Sequence, residues 1–280
     1  SSLEVVMQSE LIIIDEFFIP QLNRTRTLRI YLPAGYHQAE HAYPVLYMHD
    51  GQNVFEKSTA TYGMCWDAQT TLDEMQRLGK LSGVIVVAID SSHELDGMER
   101  YNEYSPWRAN QELKELGVGE ELLKFGGEGG EYMAFICQTL KPYIDQTYRT
   151  KPNREFTYLA GSSMGGLISL YGGSLYQNIF GVLGVFSPAF WFNKPSYFEY
   201  MKEFNFLYPT KIYMDMGTNE AREGTSVDFA DVYLSGSREM NTLLTQKPNV
   251  TLFYQEGQGH QHNELAWSLR LPDFIDFIFR

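Results

Sequence analysis

One stretch constrains this chain more than any other. Residues Glu155-Phe-Thr-Tyr-Leu-Ala-Gly-Ser-Ser-Met-Gly-Gly-Leu-Ile-Ser-Leu-Tyr171 compress a strand, a tight turn and a helix start around one serine. Phe156 to Ala160 is an apolar run of strand length, and Leu167, Leu170, Tyr171 and Leu175 then recur at helical spacing. Between them, Gly161-Ser-Ser-Met-Gly165 fits G-x-S-x-G, a nucleophile elbow, in which side chains at the outer positions would collide with the neighbouring strand or helix. The bare motif arises by chance roughly 0.1 times in a chain of this length, so its strand-before, helix-after setting is what gives it weight. The turn is expected to lift the Ser163 hydroxyl to a sheet edge, at a helix N-terminus whose free N–H groups favour developing negative charge.

The rest of the chain supplies the sheet. Strands are expected at residues 11–19 and 25–32, as an antiparallel hairpin, and at 45–49, 84–89, 156–160, 182–186, 211–216 and 250–254, eight in all. Helical spacing is found over 64–78, over 131–148 with a kink at Pro142, after Ser163, and near 196–205, 227–245 and 263–279, with a short polar helix near 109–116. Strand and helix in alternation imply an α/β fold: a mostly parallel sheet with helices on both faces and ligands at the carboxyl ends of the strands. Residues 91–130 are the least regular part and follow a strand's carboxyl end, where a substrate-covering region is expected. With 280 residues, 44% of them apolar, and no linker or repeat, the reading is one domain over 1–280.

Composition removes several function classes. The formal charge of −13, without a Lys/Arg cluster, argues against nucleic acid and anionic membrane surfaces as partners. The longest apolar runs, such as Val84-Ile-Val-Val-Ala-Ile89, have strand length and fall well short of a membrane span, so a soluble chain is expected. Cys65 and Cys137 form no C-x-x-C pair and read as buried reduced thiols; together with an N-terminus lacking an export signal, they fit a cytoplasmic setting. His260-x-His262 lacks a third histidine or cysteine at matching spacing, so neither a metal nor another cofactor is expected. The chain has 19 Tyr and 4 Trp, which suits sugar or aryl ligands stacking in a cleft; Trp107 and Trp191 are the candidates for that role.

A serine hydroxyl needs an adjacent base, and the base an orienting acid, in the chain order Ser, Asp or Glu, His. Only His260 and His262 follow Ser163, both in the loop before the last helix. The acid comes from Asp215, Glu220, Glu223 or Asp228, and position favours Glu220, where the chain has just left the sheet after Gly217-Thr-Asn. Two preorganised N–H donors should face the oxyanion, one from Met164 and one from Gln52, beside Gly51 in the loop after strand 45–49.

Six ordered motifs then carry a resemblance: Tyr47-Met-His-Asp-Gly-Gln-Asn-Val-Phe55, Glu103-Tyr-Ser-Pro-Trp107, Tyr148-Arg-Thr150, Gly161-Ser-Ser-Met-Gly-Gly166, Gly217-Thr-Asn-Glu220 and His262-Asn-Glu-Leu-Ala-Trp267. From about residue 10 to 280 the chain resembles the putative esterase family of α/β-hydrolases, which includes esterase D-like enzymes, siderophore esterases, and acetylxylan and feruloyl esterases. The resemblance implies Ser163 as nucleophile, Glu220 as acid through the family's G-T-x-[DE], and His262 as base through its spacing from Trp267. Relatives that carry the histidine after G-G-G or G-x-G would instead select His260. The implied activity is cofactor-free hydrolysis of a small-molecule ester, with small acyl esters of sugars first and siderophore esters second. An acyltransferase and a non-catalytic binding module are the rivals.

Overall fold

Eight strands form one sheet in the computed structural model, which describes residues 7–222, 225 and 227–280. Glu223 and most of the N-terminal stretch read for an export signal lie outside the described residues. In chain order the elements are β1 (Glu10–Ile19), β2 (Arg24–Leu32), β3 (Val45–His49), α1 (Ala68–Arg77), β4 (Ile85–Ile89), α2 (Glu99–Glu103), α3 (Gly129–Phe135), α4 (Lys141–Thr147), β5 (Thr157–Ser162), α5 (Met164–Leu175), β6 (Val182–Phe186), α6 (Lys194–Glu203), β7 (Thr210–Gly217), α7 (Phe229–Thr245), β8 (Val250–Gly257) and α8 (Glu264–Phe279). The spatial order is β1-β2-β4-β3-β5-β6-β7-β8. β2 pairs antiparallel with β1 and β4, and the strands from β4 to β8 are mutually parallel.

Alternation along the strands divides the core between two faces. Val45 and Tyr47 of β3, with Leu159 of β5 and Ile212 and Met214 of β7, pack under α3, α5, α6 and α7. Leu46 and Met48, with Ala160 and Tyr213, pack on the opposite face under α1 and α8. Each fully buried large aliphatic side chain contributes roughly 1.5–3 kcal/mol, which is why strands buried on both faces read as unbroken apolar runs. This is the α/β-hydrolase architecture. Among the described residues no helix is long and apolar enough to cross a membrane.

Three helices differ from expectation in instructive ways. The helix expected over 64–78 begins only at Ala68, because Asp67 takes a left-handed conformation (φ 53°). The Trp66 side chain is instead buried against Phe186 and Trp267. In the segment expected to kink at Pro142, a π-helical turn over Ile136–Leu140 joins α3 to α4 and interrupts the α-helical bonding just before Pro142, in the first turn of α4. The polar segment near 109–116 is a 3₁₀ turn over Gln111–Leu116.

The order of strands positions the site. After β3 the chain goes to β4 on one side, and β5 then takes the other side of β3, a reversal that opens a crevice at the carboxyl ends. The loops after β3, β4, β5, β7 and β8 all leave from that edge.

Candidate active site

The elbow is strained in a way that only its surroundings sustain. Ser163 has φ 62° and ψ −120°, a region that costs a non-glycine residue of the order of 1–3 kcal/mol. Its N–H donates to the Phe186 carbonyl at 3.0 Å, and its own carbonyl accepts from Leu167 and Ala189, each at 3.1 Å. A β-carbon on Gly161 would stand 2.8 Å from the Gly165 backbone, so the turn closes only with glycine there. The Ser163 hydroxyl therefore stands at the N-terminus of α5.

A polar line runs inward from that hydroxyl. His262 Nε2 lies 2.9 Å from Ser163 Oγ, and His262 Nδ1 lies 2.5 Å from Glu220 Oε1. The Glu220 side chain is completely buried, while that of His262 is 23% exposed toward the cleft. The other Glu220 oxygen accepts from the Ser187 hydroxyl at 2.7 Å and from the Gly217 N–H. Ser187 Oγ in turn accepts from Trp267 Nε1 at 2.9 Å and Arg270 Nη2 at 3.1 Å. A buried carboxylate met by three donors, one of them the imidazole, needs no direct cation. The imidazole itself is held between Tyr233, stacked at 4.8 Å, and the edge of Trp267 at 5.0 Å.

The competing residues have other partners. His260 Nδ1 is 2.8 Å from Arg270 Nη1, a donor that occupies the nitrogen's lone pair, and the ring presses on Gly257. Asp215 is fully buried and gripped by Arg270 through two bonds of 2.7 and 3.0 Å, with Tyr213 donating at 2.5 Å. Burial pushes the Asp215 pKa up, against the pull of Arg270. Asp228 caps α7, accepting from Asp231 N–H. Asp215, His260 and Arg270 thus form a second network, joined to the first through Ser187.

Gln52 and Met164 line the same cleft as Ser163, and neither main-chain N–H is taken by an acceptor among the described residues. Gln52 is fixed on its other sides. Its side chain accepts from Ser91 N–H at 3.0 Å and donates to Ser91 Oγ at 2.7 Å, and its carbonyl accepts from Thr59 at 2.8 Å. Gly51 lets this loop lie on the sheet, since a β-carbon there would meet the Ala88 and Ile89 backbone at 2.8 Å.

The cleft has a volume of about 960 Å3. Trp191 lines it, its ring edge-on to Phe229 and Tyr233. Trp107 does not line it, contrary to expectation: the indole packs against Tyr171, Tyr197 and Tyr200, 5.3–5.8 Å away. Sequence reasoning passed over Tyr233, Arg100 and Glu264, which share the cleft wall. Glu264 stands two residues beyond His262 within a motif already singled out, and burial pushes its pKa up. Arg100 lies three residues before the Glu103–Trp107 motif.

An elbow serine bonded to a histidine at this edge of this sheet marks a serine esterase of the α/β-hydrolase type. The chain belongs to the family described as "Putative esterase", whose model matches residues 19–277, and it is a carboxylic ester hydrolase. It is 24% identical over 256 residues to the uncharacterized protein YbbA of Bacillus subtilis, covering 86% of this chain and 92% of that one. Its fold is similar to that of an IroE-like serine hydrolase from Shewanella oneidensis (TM-score 0.77, 22% identity, 96% of this chain and 80% of that one). It is also similar to that of a ferulic acid esterase from Anaeromyces mucronatus (TM-score 0.65, 21% identity, 99% and 92%).

Proposed function

We propose that Ser163, His262 and Glu220 are the nucleophile, general base and orienting acid of a carboxylesterase that hydrolyses small acyl esters, those of sugars among them. The observation that carries the reading is the unbroken line from Ser163 Oγ through His262 to the buried Glu220, at 2.9 and 2.5 Å, beside the free amides of Gln52 and Met164. His262 Nε2 takes the hydroxyl proton as Oγ adds to the ester carbonyl. The oxyanion forms between the two amides, each worth roughly 2.7–4 kcal/mol of barrier lowering in comparable sites. His262 returns the proton to the departing alkoxide, leaving an acyl-serine. Water, deprotonated by the same nitrogen, then releases the acid and restores Ser163.

Two features support the substrate class. The cleft wall combines the aromatic faces of Trp191 and Tyr233 with hydroxyl and amide groups of Ser91, Ser92, Thr61 and Gln52, which suits an alcohol bearing several hydroxyls. Of its three arginines, Arg29 and Arg100 are neutralised by Asp90 and Asp50, which weighs against a strongly anionic siderophore. The breadth of the cleft gives water access to the acyl-enzyme and favours hydrolysis over transfer. Cys65 and Cys137, both buried and unpaired, suit a reducing compartment such as the cytoplasm.

Hydrolysis of p-nitrophenyl esters from acetate to octanoate, by wild type beside Ser163→Ala, tests the reading. Turnover of the short chains should vanish in the variant; full activity in folded Ser163→Ala overturns the scheme.

A further inference from the structure

The motif Glu103-Tyr-Ser-Pro-Trp107 and the arginine before it have no part in the chemistry above, yet they converge on the loop that carries Gln52. Arg100, on α2, grips Asp50 with two parallel bonds, Nε to Oδ1 at 2.7 Å and Nη2 to Oδ2 at 2.8 Å. One turn on, the Tyr104 hydroxyl accepts from Asp50 N–H at 3.0 Å, and the Arg100 guanidinium lies 5.0 Å from the Tyr104 ring centre. Asp50 is thus held by side chain and backbone together, in a left-handed conformation (φ 55°, ψ 50°) that aspartate tolerates better than most non-glycine residues. That conformation turns the chain out of β3 and into Gly51 and Gln52.

The clamp is itself anchored. Glu103, completely buried at the end of α2, accepts two bonds from Arg26 (2.6 and 2.7 Å) and one from Arg24 (2.8 Å). Both arginines belong to β2, so α2 is fixed to the sheet beside the loop it holds. A bidentate guanidinium–carboxylate pair sets direction as well as distance, which a single-point contact cannot do.

We infer that Arg100 is a positioning residue for the oxyanion: through Asp50 it sets the direction of the Gln52 N–H, so that the irregular region 91–130 serves to hold the catalytic loop as well as to wall the cleft. The inference rests on the proposed oxyanion role of Gln52.

The test compares wild type, Arg100→Met, Arg100→Lys and Ser163→Ala for p-nitrophenyl acetate turnover, inhibition by phenylboronic acid, and thermal midpoint. Phenylboronic acid becomes tetrahedral on a reactive serine and places a charged oxygen where the oxyanion forms, so it reads the same amides without turnover. Misdirecting one donor by about 1 Å is worth on the order of 100-fold, so Arg100→Met should lower kcat about 100-fold with KM within about threefold. The inhibition constant of phenylboronic acid should rise by a similar factor. Arg100→Lys, which keeps the charge without the fork, should fall between the two. If Ser163→Ala is inactive while folded Arg100→Met keeps kcat within about threefold, the inference fails and the serine scheme stands. A loss carried wholly by KM, with phenylboronic acid unaffected, also overturns it and makes Arg100 a substrate contact. Full activity in Ser163→Ala overturns the serine scheme and this inference with it. If Arg100→Met does not fold, the same criteria apply to Arg100→Lys.

Discussion

Replacing Glu220 with glutamine tests the acid almost without changing its shape. In the native site Oε1 faces His262 Nδ1 at 2.5 Å, and Oε2 accepts from the Ser187 hydroxyl and the Gly217 N–H. Glutamine has one acceptor oxygen and one donor nitrogen. Turned toward Gly217, the nitrogen would set donor against donor, and a main-chain N–H cannot rotate away. The nitrogen therefore turns toward His262, and the imidazole must offer Nδ1 as acceptor and carry its proton on Nε2. That proton then points at Ser163 Oγ, which lies 2.9 Å from Nε2, in the place of the lone pair that should take the serine's proton. Enzymes of the Ser-His-Asp type lose about 10⁴ in kcat when their acid becomes an amide. Here kcat for p-nitrophenyl acetate should fall about 10³–10⁴-fold, equivalent to about 4–5.5 kcal/mol of barrier. Stability should change far less, about 1–2 kcal/mol, because the Ser187 and Gly217 contacts survive and the one to His262 only reverses its direction. A folded Glu220→Gln enzyme within tenfold of wild type in kcat would refute the assignment of the acid.

His262→Ala should abolish hydrolysis, whereas His260→Ala should stay within about threefold of wild type, since His260 is bonded to Arg270 rather than to the serine; equal losses in the two kcat values would contradict this. His49, sealed inside with Nδ1 on Tyr132 and its other nitrogen unpartnered, has its pKa lowered to about 3 by burial. The unfolded chain takes up that proton near pH 6.5 and the folded one does not, so this contribution is complete above 6.5 and is lost at about 1.4 kcal/mol per unit as pH falls toward 3. Between pH 6.5 and 5.0, wild type should lose about 2 kcal/mol more than His49→Gln in urea unfolding, and parallel pH slopes would exclude it. Glu103→Gln should cost about 3–5 kcal/mol by leaving Arg26 buried without its counter-charge, a loss that Glu103→Met with Arg26→Met largely restores; a single-variant cost below about 1 kcal/mol would show that the pair is dispensable.

What could be read from sequence follows the range of the interaction behind it. The central strands β3, β4, β5 and β6 declare themselves because a strand buried on both faces must be apolar throughout, a property of consecutive residues, and the second strand of the hairpin by its alternation. The elbow is legible because its glycines, its serine and its flanks are contiguous. The pairing of Glu220 with His262 depends on two loops 42 residues apart, and the choice between His262 and His260 on which one Arg270 engages. Chain order and motif spacing brought those residues forward, and the geometry separates them. Trp107 was misjudged because composition says nothing about direction: Ser105 Oγ bonds the Trp107 N–H and carbonyl, and that turn swings the indole into a tyrosine cluster away from the serine. The Arg100–Asp50 clamp spans 50 residues and joins a five-residue helix to a strand end, and so short a helix leaves no periodicity to find.

The strand that delivers His262 lies at the sheet's edge. β8 pairs on one side only, with β7, and most of its residues are partly open to solvent, whereas β5, which delivers Ser163, lies deep in the interior. Fraying of that single border would carry His262, the proposed base, away from a serine that had not yet moved. On the proposed assignment, turnover is thus tied to a strand at the rim of the sheet. On gentle warming or in dilute urea, esterase activity should fade while circular dichroism still reports an intact sheet, and during refolding it should be the last signal to return.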